Sequence, residues 1–353
     1  MRSKRMAAIS VDPSSRLNNN LEQVSSSIKN NNHGVVVIEE VEGLIRVYKN
    51  GHVERPPAIP NVHCAVPSHL GVTARDISID KYTNLWARIY VPNSSSSAKL
   101  PFLVYFHGGG FCIGSAAWSC YHDFLANLSS KAGCVIMSIN YRLAPETCLP
   151  GAYEDGISSL MWVKQQALNG SSEHKWWINK CNLSSMFVAG DSAGGNIAYN
   201  VTTRLVGSNY KPLCVKGTIL IQPFFGGEAR TGSEKQYGTQ QQLPNSALTL
   251  SASDTYWRLS LPLGANRDHP WCNPLGSGNE LRVDQRIMVC ISEMDILKDR
   301  NLEFCIALAT AGKRVEKVVY KGVGHAFQVL HNSRFSQMRT QEMMSHLNAF
   351  INQ

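Results

Sequence analysis

From Leu85 onward the chain alternates short apolar runs with longer stretches in which apolar side chains recur every three or four positions. The runs LWARIYV, PFLVYFH, CVIMSINY, SMFVAG, KGTILIQPFF, RIMVCISEMD and VEKVVYKG predict β-strands. YEDGISSLMWVKQQAL, GGNIAYNVTTRLVG, RNLEFCIALATAG and SQMRTQEMMSHLNAFI predict helices between and after them. Strand and helix in alternation predict an α/β fold: an open, mostly parallel sheet covered by helices. Residues 226–281 break the rhythm with the polar tract TGSEKQYGTQQQLPN and a helix around SASDTYWRLSL, as an excursion over the sheet edge would. Residues 1–35 are rich in Ser and Asn without a period and predict disorder, leaving 36–353 as one domain. Near its start, Asn50-Gly51 between apolar runs signals a hairpin.

Charge and cysteine content narrow the partners. The net charge of +8 would suit nucleic acid if it were clustered, but the only basic run is Arg2, Lys4 and Arg5. No nucleic-acid partner is therefore expected. No segment approaches the ~18 consecutive apolar residues of a membrane span, and the first residues lack the apolar core of a secretory signal. Ten cysteines without metal-binding spacing, several inside apolar runs as at Cys134 and Cys290, point to buried reduced thiols and a cytoplasmic protein. Monomer and homodimer both stand.

The chemistry centres on FVAGDSAGGN, residues 187–196. Its G-x-S-x-G spacing fits either a chymotrypsin-like serine or the nucleophile elbow of an α/β-hydrolase. The former belongs to an all-β chain whose histidine precedes the serine. Here a strand runs into Gly190 and a helix leaves from Gly194, the strand–turn–helix context that an elbow requires. Ser192 is the candidate nucleophile.

Three further features complete a site. His107-Gly108-Gly109-Gly110 follows a strand directly, where glycine backbone can aim N–H groups at a developing oxyanion together with Ala193. Asp295 closes RIMVCISEMD at the position of the acid in the order Ser…Asp…His, with Glu293 and Asp299 as competitors. Asp299 suits the first turn of the following helix instead. His325 in KGVGHAF lies just beyond a strand, whereas His331 falls in the following loop and His346 in the C-terminal helix. In this arrangement Ser192 attacks a carbonyl, His325 moves the proton and Asp295 orients the imidazole, with no metal or organic cofactor. Phe111, Phe224 and Phe225 are the candidate walls of an apolar substrate pocket for a small, apolar or aromatic ester.

Taken together, HGGGF, NYRLAPE, LPGAYEDG, GDSAGGN and GVGHAF resemble the plant carboxylesterases of the hormone-sensitive-lipase-like group, from about Ile38 to the C-terminus. The resemblance implies an α/β-hydrolase fold with a cap built partly from the N-terminal segment. It implies Ser192, Asp295 and His325 as the triad, with His107, Gly108, Gly109 and Ala193 around the oxyanion. It also implies turnover of small esters in specialised, hormone or xenobiotic metabolism. Arg142 and Glu146 of NYRLAPE are expected to be scaffold, as a buried ion pair. Similar proteins include hormone receptors lacking the histidine, a dehydratase with Thr for Ser, and cyclases. This chain keeps both residues, and a lyase, cyclase or receptor-like role stands as the alternative.

Overall fold

A strand whose two faces are both covered reads as a continuous apolar run, and the runs here pair accordingly. The computed structural model describes residues 36–93, 97–238, 246–276 and 280–353. The expectation of disorder over 1–35 and part of the polar tract lie outside the described residues. Three short strands, β1 (Val37–Val41), β2 (Ile45–Tyr48) and β3 (Val53–Glu54), form a small antiparallel sheet. The Asn50-Gly51 turn joins β2 to β3, with Gly51 at φ 83°.

The main sheet holds β4 (Val72–Asp80), β5 (Leu85–Pro92), β6 (Leu100–Phe106), β7 (Val135–Asn140), β8 (Cys181–Asp191), β9 (Val215–Ile221), β10 (Arg286–Ser292) and β11 (Val315–Tyr320). Their order is β11-β10-β9-β8-β6-β7-β5-β4. Pairing is parallel from β11 through β7, and only β5 runs against its neighbours. Within β6, Phe102, Val104 and Phe106 enter one core while Leu103 and Tyr105 enter the other.

The helices are α1 (Ser119–Ala132), α2 (Gly151–Asn169), α3 (Lys175–Ile178), α4 (Ala193–Leu205), α5 (Gly232–Gly238), α6 (Leu250–Ser260), α7 (Lys298–Thr310), α8 (Phe327–Leu330) and α9 (Arg334–Asn352). α1, α8 and α9 cover one face, and α2, α4 and α7 the other. β4 and α1 were not anticipated. The buried side chains Tyr121, Phe124, Leu125, Leu128 and Ala132 of α1 do follow a helical period, diluted by the polar residues between them.

The excursion folds back as part of a cap. β1 packs on α6, and Glu39 accepts from Arg258 Nε and Nη2 at 2.7 and 2.8 Å. The expected Arg142–Glu146 pair does not form. Arg142 instead binds Asp155, which is 3% exposed, at 2.6 Å, and Glu146 accepts from the two terminal guanidinium nitrogens of Arg55 at 2.7 and 2.5 Å. The physical reason is reach: α2 carries Asp155 back beneath the Arg142 backbone, whose N–H it also accepts at 2.8 Å. All ten cysteines are free, and Cys112, Cys134, Cys181, Cys272, Cys290 and Cys305 are buried. No described helix is long and apolar enough to cross a membrane.

Candidate active site

In a parallel sheet the loops that leave the carboxyl ends of the strands meet along one edge, and every site residue lies there. β8 ends at Asp191, and the chain turns abruptly at Ser192 into α4. Ser192 has φ 51° and ψ −120°, a region that costs a non-glycine residue ~1–3 kcal/mol. The turn is tight because Gly194 presses on the end of β6: a Cβ there would sit 1.9 Å from the Phe106 carbonyl oxygen. Ser192 N–H donates to Ile221 O at 2.8 Å, and its own carbonyl accepts from Phe224 N–H at 2.9 Å. These bonds hold the strained turn from both sides.

Ser192 Oγ lies 2.9 Å from His325 Nε2, and His325 Nδ1 lies 2.7 Å from Asp295 Oδ2. The second Asp295 oxygen accepts Leu297 N–H at 3.0 Å, fixing the carboxylate. Ser192, His325 and Asp295 are 6%, 4% and 1% exposed, so their interactions are little weakened by solvent. The competitors lie elsewhere. Glu293 accepts Gly322 N–H at 2.9 Å, Asp299 sits in the first turn of α7 and accepts Ser233 N–H at 2.6 Å, and His346 meets Tyr320 Oη at 3.1 Å.

In the loop after β6 the expected oxyanion groups are already engaged to different extents. The Gly108 N–H already donates to Tyr121 Oη at 2.8 Å and is not free for substrate. The His107 ring is wholly buried, stacks on Tyr141 and makes its Nδ1 bond to the Gly108 carbonyl at 2.8 Å, so it shapes the loop. Burial pushes that imidazole down to about 4. Among the described residues nothing accepts from the N–H of Gly109 or Gly110, and Ala193 opens α4, where the helix dipole favours an anion. Gly110, part of the glycine run but not singled out as a donor, lies under α6, where a Cβ would meet the Tyr256 ring at 2.3 Å.

The expected pocket walls lie deep. Phe111, Phe224 and Phe225 are 1%, 0% and 2% exposed and belong to the core. Phe224 stacks on Trp257 at 4.6 Å, Phe111 lies 5.4 Å from the same indole, and Phe225 packs on Tyr199 and Phe304 behind the site. The cap helix carries that indole, so what lay open at the strand ends in sequence is closed by α6.

A family profile for the alpha/beta hydrolase fold matches residues 103–329. Probable carboxylesterase 6 of Arabidopsis thaliana is 49% identical over 94% of this chain and 96% of its own length. The chain belongs to the plant carboxylesterase family. Another relative, Tuliposide A-converting enzyme 2, chloroplastic, of Tulipa gesneriana, is 32% identical over 89% of this chain and 78% of its own. Among solved structures, an esterase of Pyrobaculum calidifontis superposes with a TM-score of 0.65 at 28% identity, covering 83% of this chain and 86% of its own. This carboxylesterase is a carboxylic ester hydrolase with an α/β-hydrolase fold.

Proposed function

We propose that the protein hydrolyses small carboxylic esters, apolar or aromatic, through an acyl-enzyme on Ser192. The observation that carries this reading is the chain of contacts from Ser192 Oγ through His325 to Asp295, 2.9 and 2.7 Å long, on a strained elbow. In acylation, Ser192 Oγ bonds to the ester carbonyl carbon while His325 Nε2 takes its proton. The carbonyl oxygen becomes an oxyanion that the N–H groups of Gly109, Gly110 and Ala193 face. Collapse breaks the bond to the alcohol oxygen, which leaves with the proton from His325. A water then repeats both transfers and frees the acid. The near-complete burial of Ser192 and His325 favours compact acyl groups.

Ser192→Ala is expected to lower kcat on p-nitrophenyl esters by ~10⁴–10⁶, and a fluorophosphonate probe should label the wild type at Ser192 alone. Wild-type-like turnover by the alanine variant would refute the reading. A second reading is a lyase or cyclase step at the same site, and one relative is named for converting tuliposide A rather than for hydrolysing an ester. Product mass separates the two, since hydrolysis adds one water and elimination or cyclisation does not. Ten free thiols favour a reducing compartment such as the cytosol, which a fluorescent fusion would test.

A further inference from the structure

Next to Ser192, one buried group has no part in that reaction. Asp191, the last residue of β8, is 1% exposed. Its Oδ1 accepts Tyr105 Oη–H at 2.8 Å and its Oδ2 accepts Tyr121 Oη–H at 3.0 Å. No Lys or Arg pairs with it among the described residues. A buried carboxylate without a cation costs stability, and such groups gather where function holds them. Desolvation pushes Asp191 up to about 6, against the two tyrosine hydrogen bonds and the charge of His325.

The second tyrosine ties this group to the oxyanion loop. A phenol has one proton to donate, and Tyr121 gives it to Asp191, which turns an oxygen lone pair toward the Gly108 N–H at 2.8 Å. The loop rests on the pair: a Cβ at Gly108 would lie 2.7 Å from Asp191 Oδ2 and 2.9 Å from Tyr121 Oη. With Gly108 pinned, the next two N–H groups are the ones left to face the substrate.

We infer that Asp191 is a positioning residue of the oxyanion loop, acting through Tyr121 to hold Gly108 so that Gly109 and Gly110 present their N–H groups above Ser192. This rests on the acyl-enzyme reading. It assigns separate tasks to the two carboxylates: Asp295 orients the base, and Asp191 orients the donors. The groups that face Asp191 are Tyr105 of β6, Tyr121 and Cys120 of α1, Tyr141 beyond β7 and His325 beyond β11. Of these only Tyr121 touches both the carboxylate and the loop.

The test uses Asp191→Asn, Tyr121→Phe and Tyr105→Phe in the full chain, with Ser192→Ala alongside. The readouts are kcat and KM for p-nitrophenyl butyrate and melting temperature between pH 5 and 7.5. Asp191→Asn and Tyr121→Phe should each lower kcat ~10–100-fold with KM within ~threefold, the effect of donors displaced by about an ångström. Tyr105→Phe removes a bond to the same carboxylate without touching the loop, so its kcat should fall clearly less than that of Tyr121→Phe. The penalty of keeping Asp191 charged applies above its folded value near 6 and is relieved as pH falls toward its ordinary 3.8. Asp191→Asn should therefore melt no lower than wild type at pH 7.5, and wild type should gain on it toward pH 5. Asp191→Asn and Tyr121→Phe with kcat within twofold of wild type would overturn the inference. So would equal losses of kcat and melting temperature in the two tyrosine variants. Should Asp191→Asn not fold, the contrast between the tyrosine variants decides alone. An active Ser192→Ala would instead bring down the acyl-enzyme reading itself.

Discussion

Gly194→Ala sets two effects of opposite sign against each other inside the elbow. Gly194 lies in the first turn of α4, where alanine is the better helix former by ~1 kcal/mol. Sterics oppose this. The added Cβ would stand 1.9 Å from Phe106 O, 2.5 Å from Phe106 C and 2.6 Å from His107 O, all backbone atoms that no rotamer change can move. Relief demands that the start of α4 and the end of β6 part by more than an ångström. β6 is clamped between β7 and β8, so the movement falls on α4, whose first residue is Ala193 and whose preceding residue is Ser192. Overpacking of this kind costs ~1–3 kcal/mol or more, which exceeds the propensity gain. The displacement should lower kcat ~10²-fold, since Ser192 and the proposed glycine donors lie on opposite sides of that contact. Melting temperature should fall by about 3–6 °C. Gly133→Ala is the matched control: it sits at φ 59° after α1 with nothing within 4 Å of its Cβ, so it costs ~1 kcal/mol of backbone strain and leaves kcat alone. Steady-state kinetics and calorimetry on both variants check the reasoning. If Gly194→Ala turned over within twofold of Gly133→Ala, the close approach of β6 and α4 would not be what sets the site.

Asp155→Asn should destabilise by about 2–4 kcal/mol in urea unfolding, because it leaves Arg142 without its buried acceptor; Glu146→Gln should cost less than ~1 kcal/mol, its carboxylate being 51% exposed. Equal costs would refute that assignment. His107, pushed down to about 4 from 6.5, binds a proton less tightly folded than unfolded, so its contribution is present above about pH 6.5 and lost as pH falls toward 4, on the order of 3 kcal/mol in full. Melting curves of wild type and His107→Gln should therefore converge between pH 7 and 4.5, since glutamine takes no proton, and parallel curves would count against a buried neutral ring.

The chain by itself determined whatever depends on neighbours within a few residues. Steric limits and side-chain period act over one strand or one helical turn, so strands β5 to β11 and helices α2, α4, α7 and α9 were readable, as was the Asn50-Gly51 hairpin. The elbow was readable for the same reason: strand, Ser192 and helix form one continuous segment whose glycines state how closely it must pack. Candidate residues could likewise be placed at strand ends, because parallel strands carry their loops to one edge. Tertiary structure alone decided which groups meet. Arg142 found Asp155 and not Glu146 because α2 returns a carboxylate beneath its backbone, while Arg55 comes over from the segment that follows β3. Gly108 was lost as a free donor because α1, an element diluted in the sequence, brings Tyr121 Oη beneath the loop. Phe111 and Phe224 became core because α6 lays Trp257 on them. Each of these contacts joins residues on different elements, at least 13 positions apart, at hydrogen-bond or packing distance. No local rule specifies such a meeting; it follows from how the sheet and its cap close as a whole.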